Sequence, residues 1–83
     1  MKLRPRDIRR LYEIGALEGV KFKCVKSVKN KLHSPLIVGK TVEFKGYKDL
    51  HGYHMYCMYC AAQSVVYFLS AKEISRHFEL VTP

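Results

Sequence analysis

Four metal-capable side chains recur at every third position of His51-Gly-Tyr-His54-Met-Tyr-Cys57-Met-Tyr-Cys60. Imidazole and thiolate are the groups zinc favours, and four of them fill its tetrahedral shell. Structural zinc sites, however, bring together two short ligand pairs from separated parts of a chain. Spacing by threes along one extended segment turns successive candidates to opposite faces, because strand side chains alternate. His51, Tyr53, Met55, Cys57 and Tyr59 would then face one way, and His54, Tyr56, Met58 and Cys60 the other. The period-two reading, an aromatic-rich β-strand, is preferred. His51, His54, Cys57 and Cys60 stand as the alternative metal set, with Cys57 and Cys60 as half a site that Cys24, His33 or His77 would complete.

Other chemistry has less support. A redox Cys-x-x-Cys pair opens a helix, whose N-terminus lowers the thiol pKa, whereas Cys57 and Cys60 sit in a strand-like run and read as small apolar groups. The sequence has no glycine-rich phosphate loop, nucleophile elbow or His-Glu-x-x-His helix. Its seven carboxylates are scattered, with no adjacent pair for acid–base work. A dyad of Cys57 with His51 or His77 is the residual catalytic option. The expectation is a non-enzymatic protein with no cofactor.

Charge is more informative. Fifteen lysines and arginines against seven acids give a net charge of +8 in 83 residues, and self-repulsion of that size points to an anionic partner: DNA or RNA, or an acidic protein or nucleoprotein complex. Arg4, Arg6, Arg9 and Arg10 cluster near the start. Lys21, Lys23, Lys26, Lys29 and Lys31 follow, and Lys45, Tyr47 and Lys48 precede His51. The first two groups would merge into one field if the basic helix packs beside the first strand, with Tyr47, Tyr53 and Tyr56 offering stacking surfaces. No RNP pattern, KH loop or helix-turn-helix accompanies the charge, so sequence-specific readout is not expected.

The elements that must position these groups follow from periodicity. Ile8, Leu11, Tyr12 and Ala16 recur at helical spacing over residues 5–17, with Pro5 near the start and Gly19 after the end. Val20, Phe22 and Cys24 alternate with Lys21 and Lys23, which predicts a half-buried strand ending or bulging near residues 25–29. A loop over residues 30–35 precedes Leu36-Ile-Val38, a tight turn at Gly39 and a strand with Val42 and Phe44 on one side. Residues 46–52 read as a second loop. Two strands, residues 53–60 and 65–69, are joined by Ala61-Ala-Gln-Ser64. A helical turn over residues 71–77 capped by Ser70 and a last strand over residues 78–81 close the chain.

One domain over residues 1–83 is expected, a basic helix at 1–19 followed by a barrel at 20–83: an α+β fold with an N-terminal helix packed on a small antiparallel SH3-like β-barrel. The order Phe22-Lys-Cys-Val25, Leu36-Ile-Val-Gly-Lys-Thr-Val-Glu-Phe44, a hairpin and Phe78-Glu-Leu-Val81 resembles small SH3-like barrel proteins of bacteriophage or mobile-element type over residues 20–81. The basic helix is an addition to that pattern, and Ala61-Ala-Gln-Ser64 replaces its usual acidic turn. The resemblance implies the barrel and a viral origin. It also implies a second role, an inhibitor or modulator that binds an acidic surface or nucleic-acid channel of a host protein; a zinc-stabilised interaction module is the third. An odd cysteine count, no apolar stretch near 20 residues and no signal h-region place the chain in the cytoplasm, off the membrane.

Overall fold

The computed structural model describes residues 2–28 and 38–81. Lys29, Lys31, His33 and the expected loop over residues 30–35 lie outside them. The first helix, α1 (Pro5–Glu13), starts with proline at its first turn, where the missing N–H costs nothing. Asp7 closes half a capping box, its carboxylate accepting from the Arg4 backbone N–H at 2.9 Å and from Arg4 Nε at 3.3 Å.

The helix stops at Glu13, not Leu17. Gly15 takes a left-handed φ of 74°; its N–H donates to the Tyr12 carbonyl (3.0 Å) and the Ala16 N–H to the Leu11 carbonyl (2.8 Å). This is a Schellman motif, which uses up carbonyls the helix would otherwise leave open. Gly15 is thus the stop signal that was expected at Gly19. Leu17 is buried all the same, as an anchor in the following loop.

Strands β1 (Lys21–Cys24), β2 (Thr41–Leu50), β3 (Tyr53–Cys60), β4 (Val65–Leu69) and β5 (Phe78–Leu80) form one antiparallel sheet in the order β4-β3-β2-β1-β5. Helix α2 (Ala71–His77) precedes β5 and begins in a full capping box, with Ser70 Oγ accepting from the Glu73 N–H and Glu73 from the Ser70 N–H. The fold is α+β and the sheet is open: among the described residues β4 and β5 are opposite edges that do not pair, so the strands of the expected SH3-like barrel form an open sheet.

The second expected loop is also corrected. Residues 46–50 belong to β2, which shifts register between Phe44 and Gly46 and then continues to pair with β3 as far as Leu50 opposite Tyr53. A bulge at Lys45 breaks the simple alternation, which is why the strand is hidden in the sequence. His51 (φ 53°) and Gly52 (φ 83°) make the two-residue turn, with both angles positive as a type I′ hairpin requires. His51 is therefore a turn residue and not part of the strand.

Phe22, Val42, Met58, Tyr67, Ile74 and Phe78 are all nearly inaccessible and share one hydrophobic cluster with Ile8 of α1. Both helices thus cover the same sheet face, and α1 packs against α2. Lys21 and Lys23, alternating with Phe22 and Cys24, point to the other face.

Gly15→Ala is expected to lower stability by about 1–2 kcal/mol through left-handed strain alone, since a Cβ there meets nothing within 4 Å. Gly46→Ala, equally uncrowded but without a positive φ, should change stability by less than about 0.5 kcal/mol. Urea unfolding of the two variants checks both. The Arg4 backbone N–H, followed by the Arg4 side chain, holds the Asp7 carboxyl below its ordinary value of 3.8. The folded state therefore favours the ionised form, so its stabilising effect is complete above that ordinary value and is lost as pH falls through the lowered one. Acid titration followed by far-UV circular dichroism should show α1 fraying in that range, and Asp7→Asn should remove this component.

Candidate nucleic-acid interface

Register sets the site. β1 pairs only with residues 41–43 of β2, and β4 only with residues 56–60 of β3. Beyond these limits the β2–β3 hairpin runs on as two strands, and a bare two-stranded ribbon is marginal in water. Tyr47 lies opposite Tyr56, and Asp49 opposite His54. Tyr12 of α1 supplies the cover this segment lacks.

The rings form a ladder. Tyr12 stacks on Tyr47 with centroids 4.7 Å apart and planes at 25°. Tyr47 lies nearly parallel to His54 (5.9 Å, 19°) and meets it edge to edge, its hydroxyl hydrogen-bonding to His54 Nδ1. Tyr56 stands edge-on to both Tyr12 (5.8 Å, 83°) and Tyr47 (5.4 Å, 67°). Both arrangements are the favoured ones for quadrupolar rings. The series ends in two exposed residues, Tyr12 and His54, whose outer faces can continue the stack.

Arg9 stands beside this ladder. It shares one cleft of about 260 Å³ with Tyr12, Glu13, Tyr47, His54 and Tyr56. A second, also about 260 Å³, runs from Arg9 past His54 and Gly52 to Lys72 at the start of α2. Desolvation, reinforced by Tyr47, pushes the Tyr56 hydroxyl above its ordinary pKa against the opposing charge of Arg9. Desolvation, then Asp49 and Tyr12, does the same to Tyr47. Both phenols therefore stay protonated and neutral at physiological pH; Tyr56 is buried and backs the ladder, and Tyr12, half-buried Tyr47 and His54 are its accessible rings. Arg6, Arg9 and Arg10 frame an adjoining hollow with Asp7 and Glu13.

The remaining predicted cations among the described residues lie elsewhere. Arg4 is tied to Asp7. On the far sheet face Lys21 is opposite Glu43 and Lys23 opposite Thr41 and Glu79. Lys45 reaches Glu43 at 2.8 Å, and this hydrogen bond, then the charges of Lys45 and Lys21, hold the Glu43 carboxyl below its ordinary value. Lys48 sits 5.6 Å above the Phe68 ring. Lys26 is exposed past the end of β1, and its carbonyl oxygen hydrogen-bonds to His77 Nδ1. Lys21 and Lys23 do not share a face with the α1 arginines, because the helix covers the side from which these two lysines point away. Of the expected loop trio Lys45, Tyr47 and Lys48, only Tyr47 joins the arginines.

The alternative metal residues do not converge. His51 is in the turn and His54 in the ladder; Cys57 pairs with Gly46 and Phe68 in the sheet, and Cys60 is fully buried in the core. Among the described residues no three His, Cys, Asp or Glu side chains are grouped to hold an ion. Burial pushes the Cys24 and Cys57 thiols up, which keeps them protonated and poor as ligands or nucleophiles.

Sequence reasoning did not assign Tyr12, His54 and Lys72 to this surface. Tyr12 follows Ile8 by four residues and reads as core, and His54 reads as a ligand. The available signal was the amphipathic tyrosine itself, since a hydroxylated ring at the border of a helical stripe is suited to a rim.

Comparison with protein-family models, with curated proteins and with solved structures finds no match to this chain.

Tyr12→Ala removes two stacked or edge contacts to the hairpin and one to Phe44, and is expected to cost about 2 kcal/mol, less than truncation of a fully buried ring. Urea unfolding measures the loss, and near-UV circular dichroism should report the broken tyrosine stack. A loss under about 0.5 kcal/mol would mean that the ladder does not hold the hairpin.

Proposed function

We propose that the protein is a small, non-enzymatic module that binds single-stranded nucleic acid without sequence-specific readout, through the exposed flank of α1 and the ladder on the β2–β3 hairpin. The observation that carries this reading is the placement of Arg9 at the wall of a cleft lined by Tyr12, Tyr47, His54 and Tyr56. Cations that track a backbone, interleaved with rings that accept any base, are the requirements for sequence-tolerant single-strand binding. Unpaired bases offer the π faces that a duplex conceals. The strand order and the short helix before β5 support reading the sheet as an opened SH3-like meander. That fold has no chemistry of its own, so the function rests on the site.

Arg6, Arg9, Arg10 and Lys72 offer about four phosphate contacts, which gives a single-strand log–log salt slope of about −3. Fluorescence anisotropy with labelled oligo-dT, oligo-rU and a duplex, titrated across salt, tests this. Single strands should bind more tightly than the duplex, and Arg9→Glu should weaken them about tenfold or more. Lys21→Gln with Lys23→Gln, on the opposite face, should change affinity by less than about threefold. Absence of binding at low salt, or indifference to Arg9→Glu, sinks the reading.

A further inference from the structure

Helix α1 has a second working flank. At 100° per residue, Asp7, Leu11 and Ile14 fall together roughly opposite Arg9 and Tyr12. This flank borders a groove of about 550 Å³ between the segment before α1 and β5. Its apolar lining is Leu3, Leu11, Ile14 and Leu80, and Lys2, Arg4 and Arg10 stand around it. Asp7 is the one carboxylate in that lining, and Arg4 already holds it from both its backbone N–H and its Nε. Ile14 keeps 64% of its surface exposed, a large apolar residue beside cations.

We propose that this groove docks an acidic amphipathic helix of a partner protein. An aliphatic floor with a cationic rim is complementary to a helix that has leucine-like side chains along one stripe and carboxylates beside it. Nucleic acid fits poorly, because the lining contains no aromatic ring on which a base could stack. A fatty acyl chain fits poorly as well: small amphiphiles need concave sites that bury most of their surface, and Ile14 leaves this one open. The two surfaces occupy opposite flanks of one helix and share Arg10 at their border, so Ile14 and Arg9, each confined to one flank, separate this inference from the nucleic-acid reading.

The test is fluorescence anisotropy of the full chain with a stapled, fluorescein-labelled helix that has leucines at i, i+3 and i+7 flanked by glutamates. The same peptide with lysines in place of the glutamates, and a scrambled acidic peptide, serve as controls. The acidic helix should bind about tenfold more tightly than either control. Ile14→Asp, at an exposed position that leaves the core intact, and Arg10→Gln should each weaken it several-fold. Arg9→Gln, on the opposite flank, should leave peptide binding unchanged while weakening oligonucleotide binding. Equal binding of the scrambled peptide overturns the proposal, as does indifference to Ile14→Asp in a variant whose melting temperature is unchanged. It is also overturned if laurate, and not the peptide, competes for the Ile14-dependent site.

Discussion

The β2–β3 hairpin outruns the strands on either side of it, and the arrangement of the N-terminal half follows from that mismatch. Tyr47 lies past the last β1 pairing and His54 past the last β4 pairing, while Tyr56 sits at the limit opposite Leu69, so on this face Tyr47 and His54 have no further strand to cover them. The only inexpensive cover is a side chain delivered from outside the sheet, and Tyr12 delivers it from α1. Stacking Tyr12 on Tyr47 fixes the rotation of α1 about its axis. That rotation sends Ile8 into the core, puts Arg9 at the cleft, and turns Leu11 and Ile14 toward β5. A helix of nine residues is too short to be stable alone, so its orientation is set by this contact and by its docking on α2.

Charge is then sorted by face. The sheet side away from the helices keeps its lysines beside carboxylates or rings: Lys21 and Lys45 with Glu43, Lys23 with Glu79, Lys48 over Phe68. Exposed pairs of this kind add little stability, yet they dampen the field on that side. Among the described residues, Arg4 and Lys45 are the cations held in ion pairs. The guanidinium groups of Arg6, Arg9 and Arg10 thus project an excess that the rest of the surface does not cancel. The net charge of the whole chain overstates the reach of this patch, which has about four cations.

How much was legible in the sequence depended on how strictly each segment kept a period. Strand β4, the Ser70 cap and helix α2, and the Phe22/Cys24 against Lys21/Lys23 alternation are local signals, and each appears where the pattern placed it. The alternation of residues 53–60 correctly divided Cys57 from His54 and Cys60. What failed did so for identifiable reasons. The bulge at Lys45 put Gly46 out of phase, so half of β2 read as a loop. The helical spacing runs on past Gly15 to residue 17 because nothing local distinguishes an interior glycine from one that completes a Schellman motif. The joining of Arg9 to Tyr47 and His54 depends on the angle at which α1 crosses the hairpin, and no spacing along the chain encodes that. The barrel expectation rests on the order of helix and strands, yet whether edges meet depends on twist and strand length.

The start of α1 is the place where local preference and sequence disagree. Arginine is a poor N-cap, having no acceptor for the orphan N–H groups, and Arg4 occupies that position. Arg6 follows in the first turn, at the positive end of the helix dipole, where a cation is unfavourable. Asp7 offsets part of this through its bonds to Arg4. A stability-driven sequence would put serine or aspartate at residue 4 and an acid at residue 6, gaining about 1 kcal/mol from the cap alone. Positions that break local rules without a structural return tend to serve function. Here both lie on the flank segment between the two proposed surfaces, Arg6 toward the arginine hollow and Arg4 toward the aliphatic groove. Asp7 is the one carboxylate at this helix end, and Arg4 already engages it, so an anion bound beside Arg4 or Arg6 would add to the negative charge there and stabilise the start of the helix.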